Sequence, residues 1–584
     1  MFQFKRSFSV MFIILVVLSV YYSTLFAEAL SIDDQAMINN LLNIDSFTFK
    51  SLFLPGGGYY YRPLTISTFI VDKYLWGLHE SFMHLENILL HALNACFVYY
   101  IAADVSERLG VKSPTVSLFA ALLFAMHPLA TEPVNWISGR TDLLAGAFLF
   151  ASCLLLLRSL SHKSIASLFV AMCLFFVSAL AKETSIFWYP AIMFMVYVIG
   201  RDANRSFPGD LISAFKSNWC YFLAVTAAST GYFILRYYAF MSYDSGIGLA
   251  VKGIVAGDSY NTYNKVRITL KVFGFYLKKL VAPLPLNFTI LSVSNWYVPL
   301  GIVGGILCIY LVFKRNVLSA LLLMAFCIIS PALLVPLGKM ALAPVAERYL
   351  YMPSAFFAVF ASVGGASFLQ RYKILQGLVT AVSIMLLLLA GYVTWQRNLV
   401  WQTNLGFFEE AVRQNPDYVP LRNELARALL GAGRDEEARQ IYLSIKIPNT
   451  EKYHVVTVIN KATTMAAQKD VAGAIAMLKG TVCEESSPFY INYLQTRLYL
   501  NGLLLGKTFD RNVKIEIMRD NISLMKKMQL RTGDPYCYYR IGQLCLLIGD
   551  NREAADYFKL AAEKSPDNSF YKAPAKKLYD RLSN

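Results

Sequence analysis

Apolar stretches of about 20 residues recur along the first two thirds of the chain, each long enough to cross a bilayer as one helix. Lipid offers the backbone no hydrogen-bond partners, so a crossing segment must satisfy its own polar groups and fold as a helix. The hydropathy pattern predicts an all-α, polytopic membrane region with about eleven crossings. They lie near 8–27, 84–103, 113–131, 142–160, 164–181, 184–200, 217–239, 297–313, 317–337, 348–368 and 374–394.

The composition is that of a membrane protein with a soluble part. Hydrophobic residues make up 56% of the chain and charged residues only 16%, which excludes an ordinary soluble globule. The stretch 266–284 contains Arg267, Lys271, Lys278 and Lys279, so we expect it to lie in the membrane interface rather than to cross. The basic residues are spread over loops and helix surfaces and form no compact basic and aromatic stripe, so we expect no nucleic-acid partner.

Lysine and arginine collect in alternate short loops, which predicts that those loops face the cytoplasm. This orientation puts the amino terminus inside and everything after about residue 395 outside. The first apolar stretch is long and lacks a small-residue cleavage pattern, so we interpret it as a retained span rather than a removed signal peptide.

Beyond Trp401 the sequence becomes polar, charged and rich in helix formers, which divides the chain into a membrane domain, 1–395, and a soluble domain, 403–584. Within the soluble domain, a turn residue, a small residue and a large residue recur at fixed offsets. These sets are Gly433, Ala438 and Tyr442; Lys469, Ala474 and Leu478; and Gly549, Ala554 and Phe558. The pattern resembles tetratricopeptide repeats and predicts an α-solenoid of about four helix pairs. A generic helical bundle is the alternative.

Asp33 and Asp34 follow the first apolar stretch, where the first external loop begins. Carboxylates are costly to keep near a membrane, and the usual reason to keep a pair is proton or cation chemistry.

A second polar feature is the helix that carries His84, Asn87, His91 and Asn94. Their spacing puts all four side chains on one helix face. Such a face is either a hydrogen-bonded seam between helices or part of a site. The two histidines lack a third clustered ligand, so they are weak candidates for a metal site.

The segment from His127 to Asp142 breaks the helical pattern at Pro128, so it must be buried in protein or face a watery cavity. It carries Glu132 and Arg140, and the alternative interpretation is a polar turn with a local Arg140–Asp142 pair.

Two cations on the external side stand next to a carboxylate, and each such pair alone could be a snorkelling pair at a helix end. A third cation on that side, Arg62, has no acidic neighbour in the sequence. Together with the two aspartates they suit a phosphate-bearing lipid donor and a hydroxyl acceptor. These residues are Arg62 in the run Tyr61–Leu64, Lys182 with Glu183, and Arg348 with Glu347.

The ordered motifs DD, YRPL, HxxNxxxHxxN, HPxxTE, GRxD, KE and AERYLYxPS, followed by external repeats, resemble the transmembrane and tetratricopeptide-repeat O-mannosyltransferases. These belong to the GT-C glycosyltransferase superfamily. The resemblance covers nearly the whole chain. It departs from the family pattern at Ala130, where the family has a second histidine.

The resemblance implies transfer of a sugar from a polyprenyl-phosphate carrier to an acceptor outside the cytoplasm, by an inverting displacement. Stacked repeats suit an extended peptide, so we expect the acceptor to be an exported protein modified on serine or threonine. It makes Asp33 the expected general base and Asp34 its neighbour, although the order of the two roles stays open. Arg140, Lys182 and Arg348 would stabilise the phosphate, and Glu132 and His127 would orient donor or acceptor. The other expected binding residues are Arg62, His84, Asp142, Glu183 and Glu347.

A phosphate is already a good leaving group, so we expect neither a metal nor another cofactor. A short repeat array favours a bacterial member of the inner membrane, with the repeats on the periplasmic or external side. Two other functions stay open. One is transfer to a glycolipid or cell-wall acceptor, and the other is a non-enzymatic membrane anchor for a repeat scaffold.

Overall fold

In a computed structural model, the described part of the chain is built from α-helices and short 3-10 turns. The described residues are 6–42, 47–54, 60–111, 113–201, 207–240, 261–338, 343–372, 374, 376–445, 454–485, 487, 489–565, 569 and 571–583. Within these ranges the extended pairing amounts to one isolated bridge between Ile290 and Val345. The predicted all-α class is confirmed.

The helices are numbered here in chain order. Those before residue 201 are α1 Arg6–Val20, α2 Asp34–Leu42, α3 Phe49–Phe53, α4 Pro63–Trp76, α5 Glu80–Arg108, α6 Pro114–Ala125, α7 Thr131–Asn135, α8 Arg140–His162, α9 Ile165–Ala181 and α10 Tyr189–Gly200. The next group is α11 Phe207–Phe240, α12 Thr262–Val281, α13 Val298–Lys314, α14 Val317–Ile329, α15 Val335–Gly338, α16 Tyr351–Arg371, α17 Gln376–Val400 and α18 Asn404–Gln414. The last group is α19 Val419–Gly431, α20 Asp435–Ser444, α21 His454–Ala467, α22 Val471–Lys479, α23 Tyr490–Lys507, α24 Arg511–Thr532, α25 Tyr536–Ile548, α26 Asn551–Lys564 and α27 Lys572–Ser583.

Among the described residues, seven helices are long and apolar enough to cross a membrane, compared with about eleven predicted crossings. An eighth is the bent pair of α6 with the segment Pro128–Asn135, whose two parts meet at 49°. Two more predicted crossings are shorter apolar helices, α1 and α9. The predicted span 217–239 lies in α11, which is interrupted at Asn218 by non-helical backbone. The stretch 266–284 lies mostly in α12, which is outside this set, as the lysines in its sequence predicted.

The polar face of α5 forms a hydrogen-bonded seam in the core of the membrane region. His91 contacts the Tyr351 hydroxyl at 2.9 Å and the Ala125 carbonyl at 3.0 Å. Asn94 donates to the Leu143 carbonyl and to the same hydroxyl, both at 2.9 Å. Since buried polar groups need partners, these bonds fix the positions of α6, α8 and α16 around α5.

The chain divides into two compact units, Met1–Gln414 and Asn415–Asn584. The predicted soluble domain began at residue 403, so the structure assigns α18 to the membrane unit instead. Within that unit, Asn404 at the start of α18 bonds Glu28, Ala29 and Ser31. The aromatic rings of Phe288, Trp401 and Phe407 also pack together there.

The second unit contains four successive helix pairs among its described residues, from α19–α20 to α25–α26, followed by α27. The three predicted repeat sets occupy equivalent places. Each turn residue has a positive φ, 73° at Gly433, 72° at Lys469 and 90° at Gly549. Each small residue and each large residue is buried. Glycine adopts this backbone region without strain, so the two glycines suit the turn and Lys469 is the exception.

The close approach of α25 and α26 gives a test of the repeat packing. A Cβ atom at Gly542 would lie 2.9 Å from the ring of Phe558, which is fully buried. We predict that Gly542→Val lowers the stability of the second unit by about 1–3 kcal/mol through overpacking. Thermal unfolding of the full chain in detergent would measure the change.

Gly502→Ala in α23 is the matched control, because a Cβ there meets no atom within 4 Å. Alanine favours a helix interior over glycine by about 1 kcal/mol, so this variant should unfold at the same or a higher temperature. Equal loss in both variants would contradict the packing described for Gly542.

Candidate active site

A cavity of about 530 Å³ opens between the first loop and the membrane helices. Its walls come from α2 and α4, from the turn before α8, and from the segments that follow α9, follow α14 and precede α16. The charged side chains that line it are Asp33, Arg62, Asp142, Lys182, Glu183 and Arg348. Residues far apart in sequence therefore converge on one site, as the motifs predicted for these six.

Asp33 is the exposed carboxylate of this set. Within the described part of the chain its carboxylate has no hydrogen bond and no ion pair, whereas the other charged side chains of the cavity are paired. Partial burial raises the pKa of Asp33, and the charges of Arg348 and Arg62 oppose that shift. A carboxylate that is accessible and close to two cations can accept a proton from a bound molecule.

Asp34 has a different position, because its side chain is fully buried. It accepts hydrogen bonds from the Ser138 backbone at 2.9 Å, the Ser138 hydroxyl at 2.5 Å and the Leu30 backbone at 3.2 Å. Burial raises the pKa of Asp34 to about 6, against the lowering effect of these bonds. Asp34 thus ties the first loop to the turn before α8 and does not line the cavity.

The loop that carries Asp33 is also fixed from its other end. Glu28 accepts from the backbone and the side chain of Asn404 at 2.8 and 3.0 Å. The Asn404 amide oxygen accepts from the Ser31 backbone at 2.8 Å, and the Glu28 backbone donates to Gln402 at 2.9 Å. The segment that follows the last membrane helix therefore positions the first loop.

Arg62 lies on the cavity wall in a bidentate pair with Glu183, at 2.9 and 2.8 Å. Its guanidinium carbon is 4.2 Å from the ring centre of Tyr60. The side chain is 21% exposed, so part of a planar group with five N–H donors still faces the cavity.

Arg348 and Lys182 are paired in the same way. Arg348 donates from its guanidinium to Glu132 at 2.7 Å and from its backbone at 3.0 Å, and its side chain is 22% exposed. Lys182 pairs with Asp142 at 2.5 Å and is only 4% exposed. Glu132 does not line the cavity, so its effect on the cavity passes through Arg348.

Glu347, which precedes Arg348 in the AERYLYxPS motif, makes a separate buried contact. Lys279 of α12 donates to it at 2.5 Å, and the Asn287 backbone donates to it at 3.1 Å. Lys279 also donates to the carbonyl groups of Pro283 and Pro285. Sequence reasoning treated Lys279 as an interfacial lysine, but it is buried and holds the turn that carries Arg348.

The placement of Arg140 corrects a prediction. Its side chain is buried, does not line the cavity and pairs with Asp72 at 2.5 Å and Glu86 at 2.8 Å. It lies 4.5 Å from the ring centre of Phe69, which does line the cavity. Arg140 therefore supports the wall, whereas Arg62 lines the cavity. Asp72 was missed because a single acid in an apolar helix gives no motif.

The two histidines named as candidates also lie outside the cavity lining. His84 is fully buried, and its neighbour on the same helix face, Asn87, accepts from Arg140 at 3.2 Å. His127 accepts from the Leu129 backbone at 3.3 Å and so begins the turn after α6. Both belong to the packing around the site.

Three buried polar atoms on residues that line the cavity have no hydrogen-bond partner among the described residues. They are the second carboxylate oxygen of Asp142, the Thr184 hydroxyl and the Trp136 indole nitrogen. A buried polar group without a partner costs about 1–3 kcal/mol. A ligand rich in hydroxyl groups would satisfy such atoms.

Fold and site together define a helical membrane protein with an acid- and cation-lined cavity and a repeat unit. A family model described as tetratricopeptide repeat matches residues 405–454. The human protein O-mannosyl-transferases TMTC1 and TMTC4 are 25% and 26% identical over 65% of this chain, and the matches cover 47% and 57% of those proteins. The mouse protein O-mannosyl-transferase TMTC3 is 25% identical over 74% of the chain and half of its own length. These matches confirm the resemblance that the motifs predicted. The chain spans about half the length of these curated relatives.

The different positions of Asp33 and Asp34 predict different effects of their alanine variants on the stability of the protein. Asp34→Ala leaves the Ser138 and Leu30 backbone N–H groups without their partner, so we predict a loss of about 1–3 kcal/mol. Asp33→Ala removes no such bond and should leave the melting temperature nearly unchanged. Thermal unfolding of the purified protein in detergent would compare them.

The pH dependence of that loss follows from the raised pKa of Asp34. The folded state favours protonated Asp34, so protonation of Asp34 contributes to the free energy of unfolding. This contribution is complete below the unfolded pKa of about 4 and is lost as pH rises through about 6. The difference in stability between the unsubstituted protein and Asp34→Ala should therefore decrease from pH 4.5 to pH 7.5. A gap that widens would contradict the burial described for Asp34.

Proposed function

We propose that the chain is a GT-C-type membrane glycosyltransferase. It moves a sugar from a polyprenyl-phosphate carrier to a serine or threonine hydroxyl of an exported protein, with inversion at the anomeric carbon. Support comes from the cavity chemistry and from the names of the relatives, which are protein O-mannosyl-transferases. The observation that carries the proposal is the accessible Asp33 carboxylate in one cavity with Arg62 and Arg348.

In the proposed step the acceptor oxygen attacks the anomeric carbon from the face opposite the phosphate. Asp33 takes the hydroxyl proton as the new C–O bond forms, and the bond from the anomeric carbon to the phosphate oxygen breaks. The polyprenyl phosphate leaves with an additional negative charge. Asp34 positions the loop and does not take the proton, because its carboxylate is buried and bonded to Ser138.

The leaving phosphate would meet Arg62 and Arg348, the two cations that keep part of their side chains exposed in the cavity. Each guanidinium has N–H groups beyond those bound to its carboxylate partner, and such groups bind phosphate oxygens. Glu183 and Glu132 hold the two guanidinium planes in place before the donor arrives. Stabilisation of developing charge by groups already in position is a large part of catalysis.

The sugar of the donor would lie near Asp142 and Thr184, whose buried oxygens lack partners among the described residues. Lys182 holds Asp142 from the other side at 2.5 Å. Hydroxyl groups of a hexose would donate to both oxygens and recover the free energy lost by their burial. We predict that no step of this chemistry needs a metal or a cofactor.

The repeat unit would bring the protein acceptor to the membrane. Stacked helix pairs present an extended surface suited to a peptide, and a tethered binding unit raises the local concentration of acceptor. The membrane would be the bacterial inner membrane, with the repeats on its external side.

The base is tested with Asp33→Asn, which keeps the side-chain shape but cannot accept the proton. Loss of a general base lowers the rate about 100- to 10,000-fold, with the melting temperature unchanged. The measurement is transfer from C55 polyprenyl-phosphate mannose to a protein extract of the host, by purified protein in lipid nanodiscs. Asn39→Ala, at an exposed position of α2 outside the cavity lining, is the control. Full transfer by Asp33→Asn would reject Asp33 as the base.

The same assay gives a pH dependence. The base must be ionised, so the rate falls as pH falls through the pKa of Asp33. That pKa is raised by burial, so the decline should begin at a higher pH than an ordinary aspartate near 4 would give. A rate independent of pH on the acid side would contradict this assignment.

The role of the repeats is tested by deleting residues 415–584. A deletion from residue 403 would be ambiguous, because it removes Asn404, which holds the Asp33 loop. The shorter deletion should abolish modification of the native acceptor and leave binding of the polyprenyl-phosphate donor unchanged. Donor binding would be followed with a fluorescent C55 polyprenyl phosphate. Unchanged glycosylation of the native acceptor would reject the recruiting role.

A further inference from the structure

Helix α2 presents one continuous face to the cavity. Asp33 precedes its first turn, and Ala36, Met37, Asn40 and Leu41 follow on the same side. These spacings of three and four residues are those of one helix face. A molecule whose hydroxyl group meets Asp33 would therefore extend along α2.

The face is apolar except at Asn40. Met37 and Leu41 share it with Ile66 and Phe69 of α4, which line the same wall. Asn40 is exposed, and its amide has no hydrogen bond within the described part of the chain. An apolar surface with one accessible amide fits a peptide, which offers both a side chain to bury and a backbone to bond.

The length of the face also fits a peptide. Seven residues of α-helix separate Asp33 from Asn40, which is about 10 Å along the axis. About three residues of extended peptide cover the same distance. A serine or threonine at Asp33 would thus place the residue three positions away beside Met37 and Leu41.

The isoprenoid chain of the donor is the competing occupant, and the position of α2 argues against it. Helices α2 and α4 lie in the loop between α1 and α5, outside the candidate membrane spans. The cavity has a second apolar wall, Pro331, Ala332 and Val335, within the candidate span Val317–Leu337. An isoprenoid chain stays in the bilayer, so the second wall suits it better.

We propose that the α2 face, formed by Ala36, Met37, Asn40 and Leu41, is the acceptor subsite. It takes an extended peptide segment with an apolar side chain about three residues from the modified hydroxyl. Asn40 bonds the peptide backbone, and Met37 and Leu41 bury the apolar side chain. This inference rests on the proposed function and adds the class of acceptor sequence that the site accepts.

Glycopeptide mapping by mass spectrometry tests the inference in cells that carry the full chain. Burying one large aliphatic side chain favours a sequence about tenfold or more, so modified sites should be enriched in apolar residues three positions away on one side. In Met37→Lys the enrichment should move to acidic residues. Asn39→Lys, the same charge on the neighbouring exposed residue outside the cavity lining, should leave it unchanged.

The amide is tested separately, because Met37 also packs against other apolar side chains. The acceptor is one synthetic, unglycosylated peptide whose sequence is taken from the map. Asn40→Ala should raise the KM for this peptide about fivefold, the value of one hydrogen bond. The KM for C55 polyprenyl-phosphate mannose should not change. Asn39→Ala is the matched control.

The outcomes separate the two proposals. If no glycopeptide disappears in Asp33→Asn cells, the proposed function fails. If glycopeptides depend on Asp33 but their sequences are unchanged in Met37→Lys and the peptide KM is unchanged in Asn40→Ala, the function stands and the acceptor subsite is overturned. A raised KM for the polyprenyl donor in these variants would also overturn it and assign the face to lipid.

Discussion

A charge in a poorly solvated region must have a partner, and this constraint organises the cavity of the membrane unit. An ionised group that leaves water loses a large solvation free energy, and its burial is strongly unfavourable unless an opposite charge or several hydrogen bonds replace the solvent. The cations in and behind the cavity wall accordingly meet carboxylates at 2.5–2.8 Å. Against this background the exposed carboxylate of Asp33, unpaired within the described residues, stands out, and the proposed chemistry depends on it.

The ion pairs also tie distant parts of the chain together. Arg62 in the first loop reaches Glu183 after α9, and Arg348 before α16 reaches Glu132 after α6. Asn404 fixes the first loop from a position beyond the last membrane helix. Each contact joins segments far apart along the chain, so the cavity wall is built from several helices and loops. Every residue that lines the cavity belongs to the membrane unit.

Much of the site was predictable because its residues stand in short motifs at the ends of apolar stretches. A polar residue there has few structural uses, so Asp33, Arg62 and Arg348 could be named before the fold was known. Arg140 and His84 satisfied the same rule and yet lie in the packing behind the cavity wall. Whether the side chains of Arg140 and His84 point into the cavity depends on the rotation of α8 and α5 about their axes, which local sequence does not encode. Lys279 was misjudged for the same reason, since an interfacial lysine and a buried one look alike in sequence.

The sequence by itself determined the helices, their membrane-crossing character and the repeat pairs, because hydrophobic period and turn residues act over a few neighbouring positions. The positive φ at Gly433 and Gly549 shows how local that information is. The tertiary structure alone decided which of the described charges pair and which carboxylate stays accessible. Pairing depends on contacts between residues 40 to 216 positions apart, and those distances are set by the packing of the whole bundle.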